Sequence, residues 1–396
     1  MGPTPRNIST IPYGTRHPSA ILSAHYFLYF GMMGIFLPYF NLFCHNIGLS
    51  GFEIGALNSI RTVVMVLFAI LWGALADRLA LRRPVFILTA FLSAVAFGGY
   101  LLTDAFLPML AVTVIYALFF GPVIPFLEAF TMEALNRPGA DPNTYGRIRA
   151  WGSLSFIGVV MAMGTLIETT STRLVPPLIL LASLLLALWS LALPRDLSPR
   201  RGSGPSEIRN LCNRRTLGFL LANFLMLAGH GTYYGFFSIH LEQTGYGPGF
   251  IGLAWALATL SELAVMMASS RIFKHLAIER ALWLACLLAS VRWLMLFAFT
   301  SPGAILLSQL FHAATYALFH IACILYTDRL STPGNRTVAQ VANNGVSYGL
   351  GLMAGFLING WLYDRYGVHL FLMSAGISLG ACALILTVTT RPPHHP

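Results

Sequence analysis

Twelve apolar runs, each about as long as a helix must be to cross hydrocarbon, leave this 396-residue chain few folds to choose from. They fall at 19–43, 51–76, 84–103, 106–134, 147–168, 174–194, 216–241, 249–273, 280–300, 303–326, 337–362 and 368–390. An open strand in lipid would leave its backbone N–H and C=O groups without partners, so each run reads as a transmembrane helix. Composition agrees. The chain is 56% apolar and 10% charged, whereas water-soluble domains run near a quarter charged. A water-soluble enzyme is excluded on that ground.

The charges that remain sit in the short connections. With both termini cytoplasmic, Arg173 and Arg365 alone face the opposite side, and Arg61 and Arg292 lie inside spans. Every other one of the 24 basic residues is then cytoplasmic. The positive-inside bias therefore places both termini in the cytoplasm. The net charge of +10 forms no continuous basic face, so nucleic acid is not an expected partner. The polar segment 195–215 is rich in Arg, Pro, Gly and Ser. It reads as a cytoplasmic linker between six-helix halves at 1–194 and 216–396. A weak repeat relates Gly73–Asp77–Arg78 at the end of span 2 to Gly360–Asp364–Arg365 at the end of span 11. The first apolar run is too long for a signal-peptide core and reads as a retained span. The five cysteines are scattered without a CxxC, which predicts free thiols and no metal. There is no HExxH, nucleophile motif or nucleotide loop, so neither an enzyme nor a bound cofactor is expected.

After span 2 comes Gly73-Ala-Leu-Ala-Asp77-Arg78-Leu-Ala-Leu-Arg82-Arg83. An acid beside three Arg at a helix end can make ion pairs that change with conformation, or can simply anchor the loop. Small residues at Gly73, Ala74 and Ala76 would let helices approach closely. The segment resembles the loop 2–3 signature of the major facilitator superfamily, which implies an inner-gate role for these residues. Other segments are similar to the lactose-permease clan. They are Pro38-Tyr39-Phe40, Glu128-Ala129-Phe130, Gly146-Arg147-Ile148-Arg149, Ser261-Glu262-Leu263, Ser290-Val291-Arg292 and Leu310-Phe311-His312. The run Gly229-His230-Gly231-Thr232-Tyr233-Tyr234-Gly235-Phe236, together with His320, resembles the phenylpropionate-permease branch.

An ionised side chain at mid-span costs about 2.5–3.5 kcal/mol even on mild scales unless paired or hydrated. Arg61, Glu128, Glu262 and Arg292 lie inside spans, and Arg149 lies close to the cytoplasmic third. They are functional candidates, or ion pairs that hold helices together. Glu262 and Arg292 sit at similar depths on adjacent helices, which predicts a pair. His312 lies about 14 Å below the outer end of span 10, at comparable depth. The resemblance implies that Glu262 serves substrate and proton coupling, that Arg292 helps the proton leave, and that His312 links them. The clan carries a proton on a Glu one turn after that His, and here the position is Thr315. Glu262, His312 or His320 would have to carry it. The departure also leaves room for uncoupled diffusion.

Glu128 and Arg149 resemble the clan's sugar-gripping pair, and on bare physics they could bind solute or close a gate. Arg61 offers an organic carboxylate a bidentate, charge-assisted partner, or it pairs with Glu128. His230 sits among glycines beside Tyr233 and Tyr234, either in a helix bent around a ring-shaped ligand or in close packing. His25 and His240 are expected at the interfaces, and Asn343 and Asn344 against a cavity or a neighbour. The expectation is a monomeric, multi-pass protein of a bacterial inner membrane. It would import a small organic solute, preferentially an aromatic or hydrophobic monocarboxylate, with a proton and by alternating access. A nucleoside or sugar transporter of the same fold, or an exporter, is the alternative. Expected substrate contacts are Arg61, Glu128, Arg149, His230, Tyr234 and Arg292, with coupling at Glu262, His312 and His320.

Overall fold

The computed structural model describes residues 18–135, 144–193, 213–332 and 335–389. Most of the expected linker, Arg137 and both tails lie outside the described residues. Twelve long helices match the twelve apolar runs. They are α1 (Pro18–Asn46), α2 (Gly51–Leu79), α3 (Arg82–Leu101), α4 (Phe106–Leu135), α5 (Thr144–Thr169) and α6 (Thr172–Ser190). The second set is α7 (Arg214–Gln243), α8 (Pro248–His275), α9 (Ile278–Ala298), α10 (Pro302–Leu330), α11 (Val338–Tyr366) and α12 (His369–Thr389). Among the described residues, eleven are long and apolar enough to cross a membrane; α7 is the exception. Its residues from Met226 to Tyr233 are all buried by other helices. A stretch covered in this way can hold His230 and Thr232 without facing hydrocarbon, and Asn223, just before it, is fully buried as well. The even number of spans puts residues 18 and 389 on one side, called here the terminal face; the opposite side is the far face.

Packing repeats with a period of six helices. In the first half α1 packs on α5 and α6, α4 on α2 and α3, and α3 on α6. In the second half α7 packs on α11 and α12, α10 on α8 and α9, and α9 on α12. This corrects the repeat expected from sequence. The counterpart of α2 is α8, not α11, and the two Asp-Arg motifs lie on opposite faces. Asp77 ends a helix at the terminal face, whereas Asp364 ends one at the far face.

The halves meet through α2 on α11 and α5 on α8. At the far face both Asp364 carboxylate oxygens accept from the Gly51 N–H, at 2.9 and 3.0 Å. An acid thus meets the free N–H groups and positive dipole end of α2. One turn on, a Cβ at Gly55 would lie 2.5 Å from the Phe356 carbonyl and 2.7 Å from the Gly360 Cα. Across the molecule, Tyr39 donates to the carbonyls of Val160 (2.9 Å) and Pro248 (3.2 Å). The far face is sealed by backbone against backbone, so Gly55→Val must part α2 from α11. Its expected effect is a rise of about tenfold or more in far-face labelling of a buried reporter cysteine, with loss of turnover. Unchanged labelling would count against this seal.

At the terminal face Asp77 pairs with Arg82 at 2.5 Å. Arg83 donates to the carbonyls of Leu193 (2.8 Å) and Leu191 (2.9 Å), which fastens α3 to the end of α6. Arg78 is exposed. A Cβ at Gly73 would meet nothing within 4 Å, so Gly73 mediates no close approach here, whereas Ala76 is fully buried. In this conformation the groups that hold Asp77, Arg82 and Arg83 all belong to the first half.

Candidate functional site

Between the halves lies a chamber of about 770 Å³, within the range of small-molecule sites. It runs from Tyr316, midway along α10, to Ile70, Met266 and Val341 nearer the terminal face. Glu128 and Arg149 line it from the first half, and Glu262, His312 and His320 from the second. The helices that supply these groups are irregular. α4 breaks between Phe120 and Val123, at Gly121-Pro122, where proline removes a donor. α10 widens into a π-helical stretch at Ala313–Leu318 and α11 into another at Gly345–Gly351. Such turns are frequent at functional sites. The first of them keeps His312, Tyr316 and His320, four residues apart, in one line, with Tyr316 stacked between the two imidazoles.

The central feature is a chain of three ionisable groups. Arg292 Nη1 lies 2.6 Å from His312 Nδ1, and His312 Nε2 lies 2.7 Å from Glu262 Oε1. A guanidinium can only donate. Nδ1 is therefore the acceptor, and the imidazole proton is assigned to Nε2, where it points at the carboxylate. Side-chain exposure falls from 17% at Glu262 to 3% at His312, and Arg292 is fully buried. Only the carboxylate end and the imidazole meet the chamber.

This arrangement corrects two expectations. Glu262 and Arg292 are not direct partners, because His312 stands between them. Nor does Arg292 line the chamber. It stands behind His312 over the Tyr233 ring, 4.1 Å from its centroid. It also donates to Gln309 Oε1 (3.0 Å) and Thr315 Oγ1 (3.4 Å). Thr315, which replaces the resembling family's Glu, is thus an acceptor for Arg292. Gln309 was not singled out from the sequence. It is fully buried and also accepts from the Tyr233 hydroxyl at 2.9 Å. Its position three residues before His312, on the same helix face, was the available signal.

His230 is likewise displaced from its expected role. It is buried, its Nδ1 lies 2.8 Å from the Met226 carbonyl, and its ring packs on Trp293 at 5.0 Å. It does not line the chamber. Its neighbour Tyr234 does. His25 and His240, expected near the interfaces, are both covered by neighbouring side chains. Asn343 accepts from Asn223 at 2.6 Å, while Asn344 faces the chamber. Glu128 and Arg149 form no ion pair with each other. The Arg149 guanidinium lies over Phe30, 3.9 Å from the ring centroid. His320 Nδ1 lies 2.8 Å from the Tyr348 hydroxyl.

Arg61 occupies a side pocket of about 200 Å³ that shares Tyr234, Tyr316 and Tyr348 with the chamber. Its guanidinium stands over Phe36 at 4.4 Å and donates to Asn58 Oδ1 at 3.3 Å. Its Nε is buried with no hydrogen-bond partner. Among the described residues no carboxylate pairs with it, so the alternative of an Arg61–Glu128 pair is set aside.

Comparison with known proteins gives a consistent picture. A family model described as "MFS_1 like family" matches residues 19–373. The chain is 26% identical over 373 residues to the "Probable 3-phenylpropionic acid transporter" of Escherichia coli (strain K12), covering 92% of this chain and 96% of the relative. It is 27% identical over 387 residues to the "Maltose permease" of Geobacillus stearothermophilus, covering 94% and 95%. The crystal structure of the nucleoside transporter NupG superposes with a TM-score of 0.80 at 18% identity, covering 95% of this chain and 100% of that one.

Proposed function

The chain belongs to the MFS_1-like family of major facilitator transporters, and from that premise we propose that it imports a hydrophobic monocarboxylate together with a proton. The observation that carries the reading is Arg61. A half-buried guanidinium without a carboxylate is costly, and an incoming organic anion supplies the missing partner in bidentate form. Tyr234, Tyr316 and Tyr348, at the junction of pocket and chamber, offer flat apolar faces to a ring. The relative from Escherichia coli, named for 3-phenylpropionic acid, supports the same class.

Proton coupling is assigned to Glu262. An ionised Glu262 accepts the His312 N–H, and Arg292 behind it supports that charge. A protonated Glu262 gives up the charge-assisted part of this bond. The carboxyl therefore exchanges its proton with the chamber while His312 keeps its tautomer. One proton with one monocarboxylate moves no net charge, so the pH gradient drives the step. With the termini in the cytoplasm, as the Arg distribution argues, the sealed far face makes this the inward-facing state. The reading further takes the protein as a monomer in a bacterial inner membrane.

A second reading is a sugar or nucleoside as solute. Glu128 and Arg149, unpaired with each other and both on the chamber wall, favour it. Proteoliposomes with an internal pH dye separate the two. 3-Phenylpropionate is expected to acidify the lumen several-fold faster than in protein-free vesicles, and maltose and uridine to leave the pH unchanged. Acidification by either neutral solute alone would overturn the monocarboxylate assignment.

A further inference from the structure

Arg61 is not isolated from the seam between the halves. Its Nη2 donates to Asn58 Oδ1 (3.3 Å). The Asn58 amide donates in turn to Asn41 Oδ1 (2.8 Å) and to the Ile54 carbonyl (2.9 Å). The Asn41 amide donates across the seam to the α7 carbonyls of Tyr234 (3.2 Å) and Gly235 (3.1 Å). Asn41 and Asn58 are only 6% and 4% exposed, yet both line the side pocket that holds Arg61.

We propose that Asn58 and Asn41 are positioning residues that report the state of Arg61 to the contact between α1 and α7. The orientation of each amide is fixed by the next. Asn58 can hold Asn41 with its NH2 only while its oxygen faces Arg61. Asn41 can grip the α7 carbonyls only while its own oxygen receives Asn58. Withdrawing the guanidinium removes the one donor that the Asn58 oxygen has among the described residues, and leaves the amide held only by its bonds to Asn41 and Ile54. Both amides can then turn, and α1 loses its grip on α7 beside Tyr234. Because Tyr234 also lines the pocket, the side chain that meets the solute and the backbone that is released belong to one turn of α7. Buried polar chains of this kind are worth more intact than part by part. The solute's carboxylate would draw Arg61 away from Asn58 and so unlock the far-face seal from inside.

The proposal rests on the solute assignment for its trigger but not for its wiring, and the test separates the two. A single reporter is placed at the seal (Ile54→Cys, native residue 1% exposed) with all five native cysteines replaced. It is labelled in vesicles by a membrane-impermeant maleimide added at the far face. Without solute, Asn58→Leu and Arg61→Ala are each expected to raise the labelling rate about fivefold. The double variant should be no faster than either single, because both cut one chain. Asn41→Ala should match them. Multiplying effects in the double variant, or singles that label like the parent, would overturn the relay whatever the solute. With 3-phenylpropionate as probe, the parent is expected to label faster. At a probe concentration that saturates it, whatever its affinity, Asn58→Leu should label at a rate the probe no longer changes. A probe response in Asn58→Leu equal to the parent's would also overturn the relay. A parent that does not bind the probe overturns the solute assignment instead, and the solute-free cycle still decides the wiring.

Discussion

Arg61→Ala is expected to abolish saturable uptake of 3-phenylpropionate. A charge-assisted contact is worth about 1.5–3 kcal/mol, so losing it weakens affinity by roughly ten- to a hundredfold. The loss should fall on binding, because the solute's charge is then left in the pocket against Phe36 and three tyrosines. Arg61→Lys keeps the charge but not the planar fork, and should bind between the parent and Arg61→Ala. Folding should survive, since Arg61 pairs with no carboxylate and its Nε already lacks a partner. Removing a charge that pairs with no carboxylate orphans no other ion. The measurement is binding of labelled 3-phenylpropionate to purified protein beside its thermal midpoint. Parent-like binding by Arg61→Ala would end the case for an anionic solute.

Glu262→Gln should separate exchange from accumulation. The amide keeps the size of the carboxyl and an oxygen to receive the His312 N–H, but it cannot carry a proton. One pH unit is worth about 1.4 kcal/mol, enough for roughly tenfold accumulation by a one-to-one symporter. The parent should show that accumulation at a rate well above the leak of the neutral acid through protein-free vesicles. The variant should drive none above the leak, while still exchanging labelled for unlabelled solute at constant pH. Accumulation by Glu262→Gln at the parent rate would move the proton carrier to His312 or His320. Arg292→Ala should stop accumulation too, at a cost in stability of about 3 kcal/mol or more. It leaves His312, Gln309 and Thr315 without their shared donor.

The two halves of the problem were unequally legible. The depth of Glu262, Arg292 and His312 could be counted along the chain at 1.5 Å per residue, and all three do meet. Their order could not. That His312 stands between the acid and the base, with Arg292 behind it and away from the chamber, depends on how α8, α9 and α10 are rotated. The same limit hid Gln309, Asn41 and Asn58, whose partners lie on other helices. It also promoted His230, which packs on Trp293 outside the chamber lining.

In a soluble helix an apolar stripe announces the buried face. In these spans the outward face is apolar as well, because it meets lipid, and helices such as α2 and α12 carry little asymmetry around their axes. The sequence by itself determined how many helices cross, where each begins and ends, and which charges must be accommodated at what depth. Hydrophobic length and the expense of a charge in hydrocarbon are one-dimensional quantities. Only the tertiary structure decided which way each helix turns, and hence that α2 answers to α8 and seals against α11. Backbone contacts as close as Gly55 against Gly360 select one rotation among many that lipid would tolerate equally.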